Sequence, residues 1–256
     1  MRGDSLELAE TIATSIRRQV AEAGTVTCYR EPLIAFVAAD DPRLADLRRH
    51  VEPTHMLPQD LLPNARSVVS FFLPFEAAVV EANAKCSDRV ACEWAEAYVE
   101  TNALIEHITT TLTESLAERG IGAAAETATN NFDPISLVCR WSHKSIAVIA
   151  GLGSFGLHHM VITDAGCAGR FGSLVIDASL PSSLMQHKER CLYYHDRSCL
   201  ECILHCPVGA LDESGEIDKE RCQTHLREAR IGPESLAQAN VCGKCVCSPC
   251  ALESAV

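Results

Sequence analysis

The chain has 256 residues, 47% of them hydrophobic, and a formal net charge of -12 from 34 acidic and 22 basic side chains. Such a length and apolar content can bury a substantial core without cross-links, so the 14 cysteines are not needed as staples. An acidic surface disfavours phosphate backbones, no apolar run reaches the roughly 18 residues of a membrane span, and Met1 to Ser5 lacks the apolar stretch of a secretory signal.

The expectation is therefore a cytoplasmic protein, with nucleic acid and membrane set aside as general partners. In a reducing compartment a cysteine-rich chain points to metal ligation or redox chemistry before disulfides.

In chain order, residues 5–23 carry Leu6, Leu8, Ile12, Ile16 and Val20 at helical spacing, with Asp4 or Ser5 to cap the start. The apolar runs 33–38 and 67–73 suit buried strands, separated by a stretch that Pro58 and Pro63 interrupt. From 89 to 119, Val90, Trp94, Tyr98, Ile105, Ile108, Leu112 and Leu116 mark one face of a long helix, which Gly120 and Gly122 stop. Residues 123–127 fit a strand or a short helical turn, and a bend is expected at Asp133-Pro134. Six glycines between 151 and 172 form a density that suits close approach of backbone to a ligand, and 173–177 reads as a strand. Nine of the 14 cysteines fall between 191 and 250, which sets a boundary near 180–188. The expected organisation is an α/β domain over 1–183 and a ferredoxin-like domain over 184–256.

The central motif is Cys199-x2-Cys202-x3-Cys206-Pro207, followed by Cys222 and by Cys242-x2-Cys245-x-Cys247-x2-Cys250. Low-potential iron prefers soft thiolates, and in the bacterial ferredoxin run the cysteine before proline ligates the other cluster. Two 4Fe-4S clusters follow as the expectation. One takes Cys191, Cys199, Cys202 and Cys250, and the other takes Cys206, Cys222, Cys242 and Cys245. The usual first ligand position holds Asp196, which competes with Cys191, and Cys247 competes with Cys250. A zinc site from Cys222, Cys242, Cys245 and Cys250 is the alternative chemistry. Cys28, Cys86, Cys92, Cys139 and Cys167 read as small buried hydrophobes.

Gly151, Gly153 and Gly156 follow an apolar run and precede Asp177 by about 20 residues, as the dinucleotide fingerprint asks. Against it, the segment that should form the phosphate-facing helix, 157–162, is cut off by Thr163, Asp164 and Gly166.

Trp141-Ser142-His143-Lys144, Ala150-Gly151-Leu152-Gly153-Ser154-Phe155-Gly156, Ile162-Thr163, Gly169-Arg170-Phe171-Gly172-Ser173 and the two cysteine groups, in that order, resemble the epoxyqueuosine reductase-like iron-sulfur proteins, relatives of the cobalamin-dependent reductive dehalogenases. The resemblance covers roughly the last 120 residues. It implies an N-terminal domain of the cobalamin-binding reductase fold, and an oxidoreductase in which the clusters pass electrons to a corrinoid or another acceptor near the glycine block. Trp141, His143, Lys144, Gly151, Gly153, Gly156 and Arg170 then become candidate cofactor-facing residues, and His158 and His159 candidate proton donors. The catalytic aspartate of that family would fall near Leu137, which leaves Asp133 as the nearest acid. With an acidic surface and no helical repeats after Cys250, tRNA is not the expected substrate. A small-molecule substrate or corrinoid and a flavodoxin or ferredoxin donor are the expected partners, and a homodimer stays open. The other class of function is a non-catalytic electron carrier that activates a partner enzyme.

Overall fold

The computed structural model describes residues 2–87, 89–129, 131–184, 188–229, 236 and 239–256. The chain opens with α1 (Arg2–Ala21), β1 (Leu33–Ala38), α2 (Pro42–His50), α3 (Pro58–Leu61) and β2 (Ser67–Pro74). It continues with α4 (Ala77–Lys85), α5 (Cys92–Glu118), β3 (Ala123–Ala124), α6 (His143–Ile149), β4 (Gly153–Phe155), β5 (Val161–Thr163) and β6 (Gly169–Ile176). The last part carries α7 (Leu192–Asp196), α8 (Glu201–Leu204), α9 (Lys219–Glu228) and a 3-10 turn at Lys244–Val246.

Strands β1, β2, β6 and β3 form one antiparallel sheet in that order, with Phe36 opposite Val69 and Val69 opposite Leu174. Every residue of β2 is buried, because alternate side chains face helices on both sides. Val69, Phe71 and Leu73 meet Ile12 and Ile16 of α1 and Ile105, Ile108 and Leu112 of α5. Val68 and Phe72 meet Leu44 of α2, Trp141 just before α6 and Ile146 within it. The result is a three-layer α/β/α arrangement. Leu6, expected on the buried face of α1, is 60% exposed and lies outside it.

A third apolar cluster joins the two halves of the chain. Phe75, Trp94, Leu157 and Ile162 pack in it with Tyr193, Cys202, Leu211 and Val246. The tail is also bonded through its backbone, since Cys167 N and Ala168 N donate to Ala251 O, and Arg30 Nη1 donates to Leu252 O at 2.6 Å.

Two sequence expectations are corrected. Residues 143–149 are helix, so the glycine block follows a helix and enters the antiparallel β4–β5 hairpin, which is not the strand–turn–helix of a dinucleotide site. The strand expected at 173–177 begins earlier, at Gly169. A Cβ on Gly169 would stand 2.3 Å from Leu73 O, and one on Gly172 would stand 2.4 Å from Phe71 Cζ. These glycines let neighbouring strands and rings of the sheet approach. No helix among the described residues is long and apolar enough to cross a membrane.

Candidate metal centres and the adjoining cleft

Cys191 ends the loop before α7, Cys202 lies on α8, and Cys199 and Cys250 come from flanking turns. All four line one narrow hollow together with His158. Burial, then Cys250, Cys191 and Cys199, push the Cys202 thiol up to about 12. Burial likewise raises Cys245, followed by the charges of Cys242, Cys222, Cys206 and Cys202. Cys222, on α9, is raised by burial and then by Cys206 and Cys242. Cys191, Cys199, Cys202 and Cys250 thus share one hollow, and Cys206, Cys222 and Cys242 act on Cys245, which also feels Cys202 of the first group. Such repulsion between thiolates is what a bound cation relieves.

A single tetrahedral zinc needs its sulfurs about 3.8 Å apart, from a Zn–S bond of about 2.3 Å. Among the described residues the one trio of ligand atoms gathered within 4.8 Å is His158, Cys167 and Cys250. No three of the eight sulfurs converge that closely, so the alternative zinc quartet is not assembled.

Both open choices have distinct surroundings. Asp196 is exposed, and its carboxylate accepts from Ser198 N at 3.0 Å, whereas Cys191 is buried in the hollow. Cys247 Sγ donates to Gly243 O at 3.2 Å and lies 3.5 Å from Asn83 Nδ2, away from the hollow that Cys250 lines.

Sequence spacing gave no sign of Cys167, which stands 83 positions before Cys250 and whose Sγ lies 3.8 Å from the Cys250 sulfur. His158 Nδ1 accepts from Met160 N at 3.1 Å, which leaves its proton on Nε2, 3.3 Å from Cys250 Sγ. Cys167 and His158 thereby hold Cys250 toward the thiolate, down to about 4, while Cys167 is raised and keeps its proton. Cys28 and Cys92, expected to be buried, are exposed.

Beside the second cysteine set lie two adjoining hollows of about 210 and 170 Å³, sharing Met160, Gly169 and Arg170. The larger reaches Cys242 and Cys245, and the smaller is lined by Trp141, His143, Lys144 and Arg170. Trp141 Nε1 donates to Ser173 Oγ at 2.9 Å, and Ser173 faces His143 Nδ1 at 2.9 Å. His143 Nε2 lies 3.0 Å from Thr127 O, an acceptor only, so Nε2 carries the proton and Nδ1 accepts from Ser173. Burial, foremost, lowers the His143 pKa to about 4. Trp141 and His143, expected to bind a cofactor, therefore have their polar atoms satisfied by the protein and act as wall.

Lys144 and Arg170 remain. Lys144 Nζ donates to His159 O at 2.9 Å, and burial lowers its pKa. The Arg170 guanidinium lies 4.4 Å over the Tyr98 ring, its Nε is out of contact with solvent and unpartnered, and burial lowers its pKa.

The other candidates lie elsewhere. Gly151, with φ 91°, ends α6. A Cβ on Gly153 would stand 2.2 Å from Ile162 O, and one on Gly156 would meet Ile162 and His158. The close approach these glycines permit is therefore that of the chain's own hairpin. His159 adopts φ 60° with Nε2 unpartnered. Asp133 is exposed and accepts from Ser136 N and Ile135 N, which lowers its pKa and commits it to the bend.

No family model matches the chain. It is similar in sequence to the epoxyqueuosine reductase of Yersinia pestis, 33% identical over 97 residues, which are 38% of this chain and 22% of the relative. It is 28% identical to that of Escherichia coli over 175 residues, 66% of this chain and 42% of the relative. The chain spans less than half the length of these curated relatives. In structure it shares the mixed α/β fold of epoxyqueuosine reductases and reductive dehalogenases. A crystal structure of an epoxyqueuosine reductase matches with a TM-score of 0.57 at 15% identity, over 95% of this chain and 66% of the other. The catabolic dehalogenase NpRdhA in complex with 3-bromo-4-hydroxybenzoic acid matches with a TM-score of 0.60 at 15% identity, over 94% and 32%. The chain thus resembles epoxyqueuosine reductases in sequence and in fold. One solved epoxyqueuosine reductase carries a tRNA stem loop, in contrast to the expectation that nucleic acid is disfavoured here.

Proposed function

We propose that the chain is an epoxyqueuosine reductase-like oxidoreductase that holds two 4Fe-4S clusters in its residues 184–256 and passes electrons to an acceptor in the cleft under Lys144 and Arg170. The observation that carries this reading is the gathering of eight cysteines in the tail, four of them around one hollow, with no three of the eight sulfurs within 4.8 Å of one another. When bound, the clusters supply single electrons at low potential. Cys191, Cys199, Cys202 and Cys250 hold one, with the His158 Nε2 proton and the Cys167 thiol beside the Cys250 sulfur, and Cys206, Cys222, Cys242 and Cys245 hold the other.

The cleft reaches the second set directly through Cys242 and Cys245, so an acceptor there lies against that centre. The hollows of about 210 and 170 Å³ together reach the lower end of the roughly 300–1,000 Å³ of sites for drug-sized ligands, and a corrin is larger than those ligands. The cleft as it stands therefore takes a small molecule. A reduced flavodoxin or ferredoxin is the donor class.

Anaerobically purified protein should contain about eight iron and eight sulfide per chain and bleach with dithionite. Cys247→Ser should keep that content, and Cys250→Ser should reduce it to about four iron. Colourless, iron-free protein would reject the reading. Tight retention of cob(II)alamin on gel filtration would show that the cleft opens and restore the corrinoid as acceptor. A second reading rests on the trio His158, Cys167 and Cys250, which could hold a single zinc; zinc without sulfide would select it.

A further inference from the structure

Of the six cysteines outside the two ligand sets, Cys167 alone is buried. Three polar side chains among the described residues reach the Cys250 sulfur: His158 Nε2 at 3.3 Å, Ser248 Oγ at 3.4 Å and Cys167 Sγ at 3.8 Å. Only the last of these can join it by a sulfur–sulfur bond. The backbones are paired as well, since Cys167 N donates to Cys250 O at 2.9 Å and Ala168 N to Ala251 O at 2.9 Å. Hydrogen-bonded chains stand about 4.5–5.5 Å apart between Cα atoms, inside the roughly 4.4–6.8 Å that a disulfide spans. Side-chain rotation is then enough to close the two sulfurs to a bond of about 2.05 Å. Arg30 fixes the same place, because its Nη1 and Nη2 donate to Leu252 O and Ala165 O, each at 2.6 Å, and so clamp the two segments together two residues from either sulfur.

We infer that Cys167 is a resolving thiol for Cys250: when Cys250 is free of iron and meets hydrogen peroxide, the two cysteines join in a disulfide that keeps the ligand recoverable. The Cys250 sulfur attacks the peroxide, an S–O bond forms, the O–O bond breaks, and the thiol becomes a sulfenic acid as one water leaves. The Cys167 sulfur then attacks the Cys250 sulfur. The S–S bond forms, the S–O bond breaks, and the departing hydroxide takes the Cys167 proton and leaves as a second water. Two thiols and one peroxide thus give one disulfide and two waters, and a dithiol reductant reverses the change. Without the second step the sulfenic acid advances to sulfinic acid, which thiols do not restore. Cys250 is half-buried at the mouth of its hollow and Cys167 is fully buried, so peroxide meets Cys250 first. The inference rests on the proposed function only in taking Cys250 as an iron ligand, and the contact between the two cysteines does not depend on it.

Trypsin leaves Cys167 as the sole cysteine of peptide 145–170 and Cys250 in peptide 245–256 beside Cys245 and Cys247. The full chain, purified air-free and assayed for iron, is treated with hydrogen peroxide until any iron is released, then alkylated in denaturant, digested without reductant and mapped by mass spectrometry. Wild type and Cys247→Ser should both give a cross-link between the two peptides, which fragmentation places at Cys250. Cys167→Ser should lose the cross-link and carry sulfinic acid at Cys250 instead, and Cys167→Ala should do the same if the serine variant does not fold. After dithiothreitol, iron and sulfide are added back, wild type should regain its full iron, whereas the Cys167 variant should regain about half, one cluster of the two. No cross-link in wild type, a cross-link placed at Cys245 or Cys247, or a Cys167 variant that escapes sulfinic acid and regains iron as wild type does would each overturn the inference. Protein isolated without iron that still forms the cross-link would end the cluster reading and leave the cysteine pair standing. Protein that held its iron and yet forms no cross-link would do the reverse.

Discussion

Lowering the pH from 7.5 to 5 tests whether His143 is the neutral wall residue that its bonds require. Both ring nitrogens are committed, Nε2–H toward Thr127 O and Nδ1 toward Ser173 Oγ, so a second proton has no acceptor in the fold. The unfolded chain protonates this imidazole near the ordinary 6.5, and the folded one only near about 4. With the folded pKa depressed, the unfolded state binds more protons in that window. Stability is whole above 6.5, falls as the pH drops toward 4, and loses nothing further below it, where both states are protonated. A gap of about 2.5 pH units corresponds to about 3.4 kcal/mol in all, of which about 2 kcal/mol is lost by pH 5. His55 and His159, also lowered by burial, add to the wild-type loss in the same direction. Urea unfolding of wild type and His143→Gln at pH 7.5 and 5, followed by tryptophan fluorescence, isolates the His143 share. The variant should lose about 2 kcal/mol less than wild type between the two pH values. An equal loss in both would refute the assignment, and with it the conclusion that only Lys144 and Arg170 bring charge to the cleft.

Two further substitutions separate alternatives that the sequence left open. Cys191→Ser should halve the iron content to about four per chain while Asp196→Ala leaves it near eight, because Cys191 lies in the hollow and Asp196 is exposed; iron assays that reverse this order would make Asp196 the ligand. Gly153→Ala should cost about 1–3 kcal/mol, read as a lower Tm, because the added methyl lands 2.2 Å from Ile162 O between paired strands. An unchanged Tm would mean that the hairpin is not packed as described.

The cysteine spacing and the hydrophobic periods were local signals, and they carried far. Strand β1 occupies 33–38 as expected, and α5 spans Cys92–Glu118 where a helix over 89–119 was expected, since an apolar stripe at a fixed period has few ways to be buried. The glycine block misled because a glycine records only that something comes close. At Gly153 and Gly169 that neighbour is Ile162 O and Leu73 O, backbone of the same chain. Local sequence likewise could not tell which atoms satisfy Trp141 and His143, because their partners, Ser173 and Thr127, are set by how α6 lies on the sheet. The sequence by itself determined the supply of thiolates and the layers that bury the core. Tertiary packing alone decided that Cys167 meets Cys250 across 83 positions, and that Arg170 ends in a cleft with its Nε unpaired, because contacts between distant segments follow from the fold as a whole.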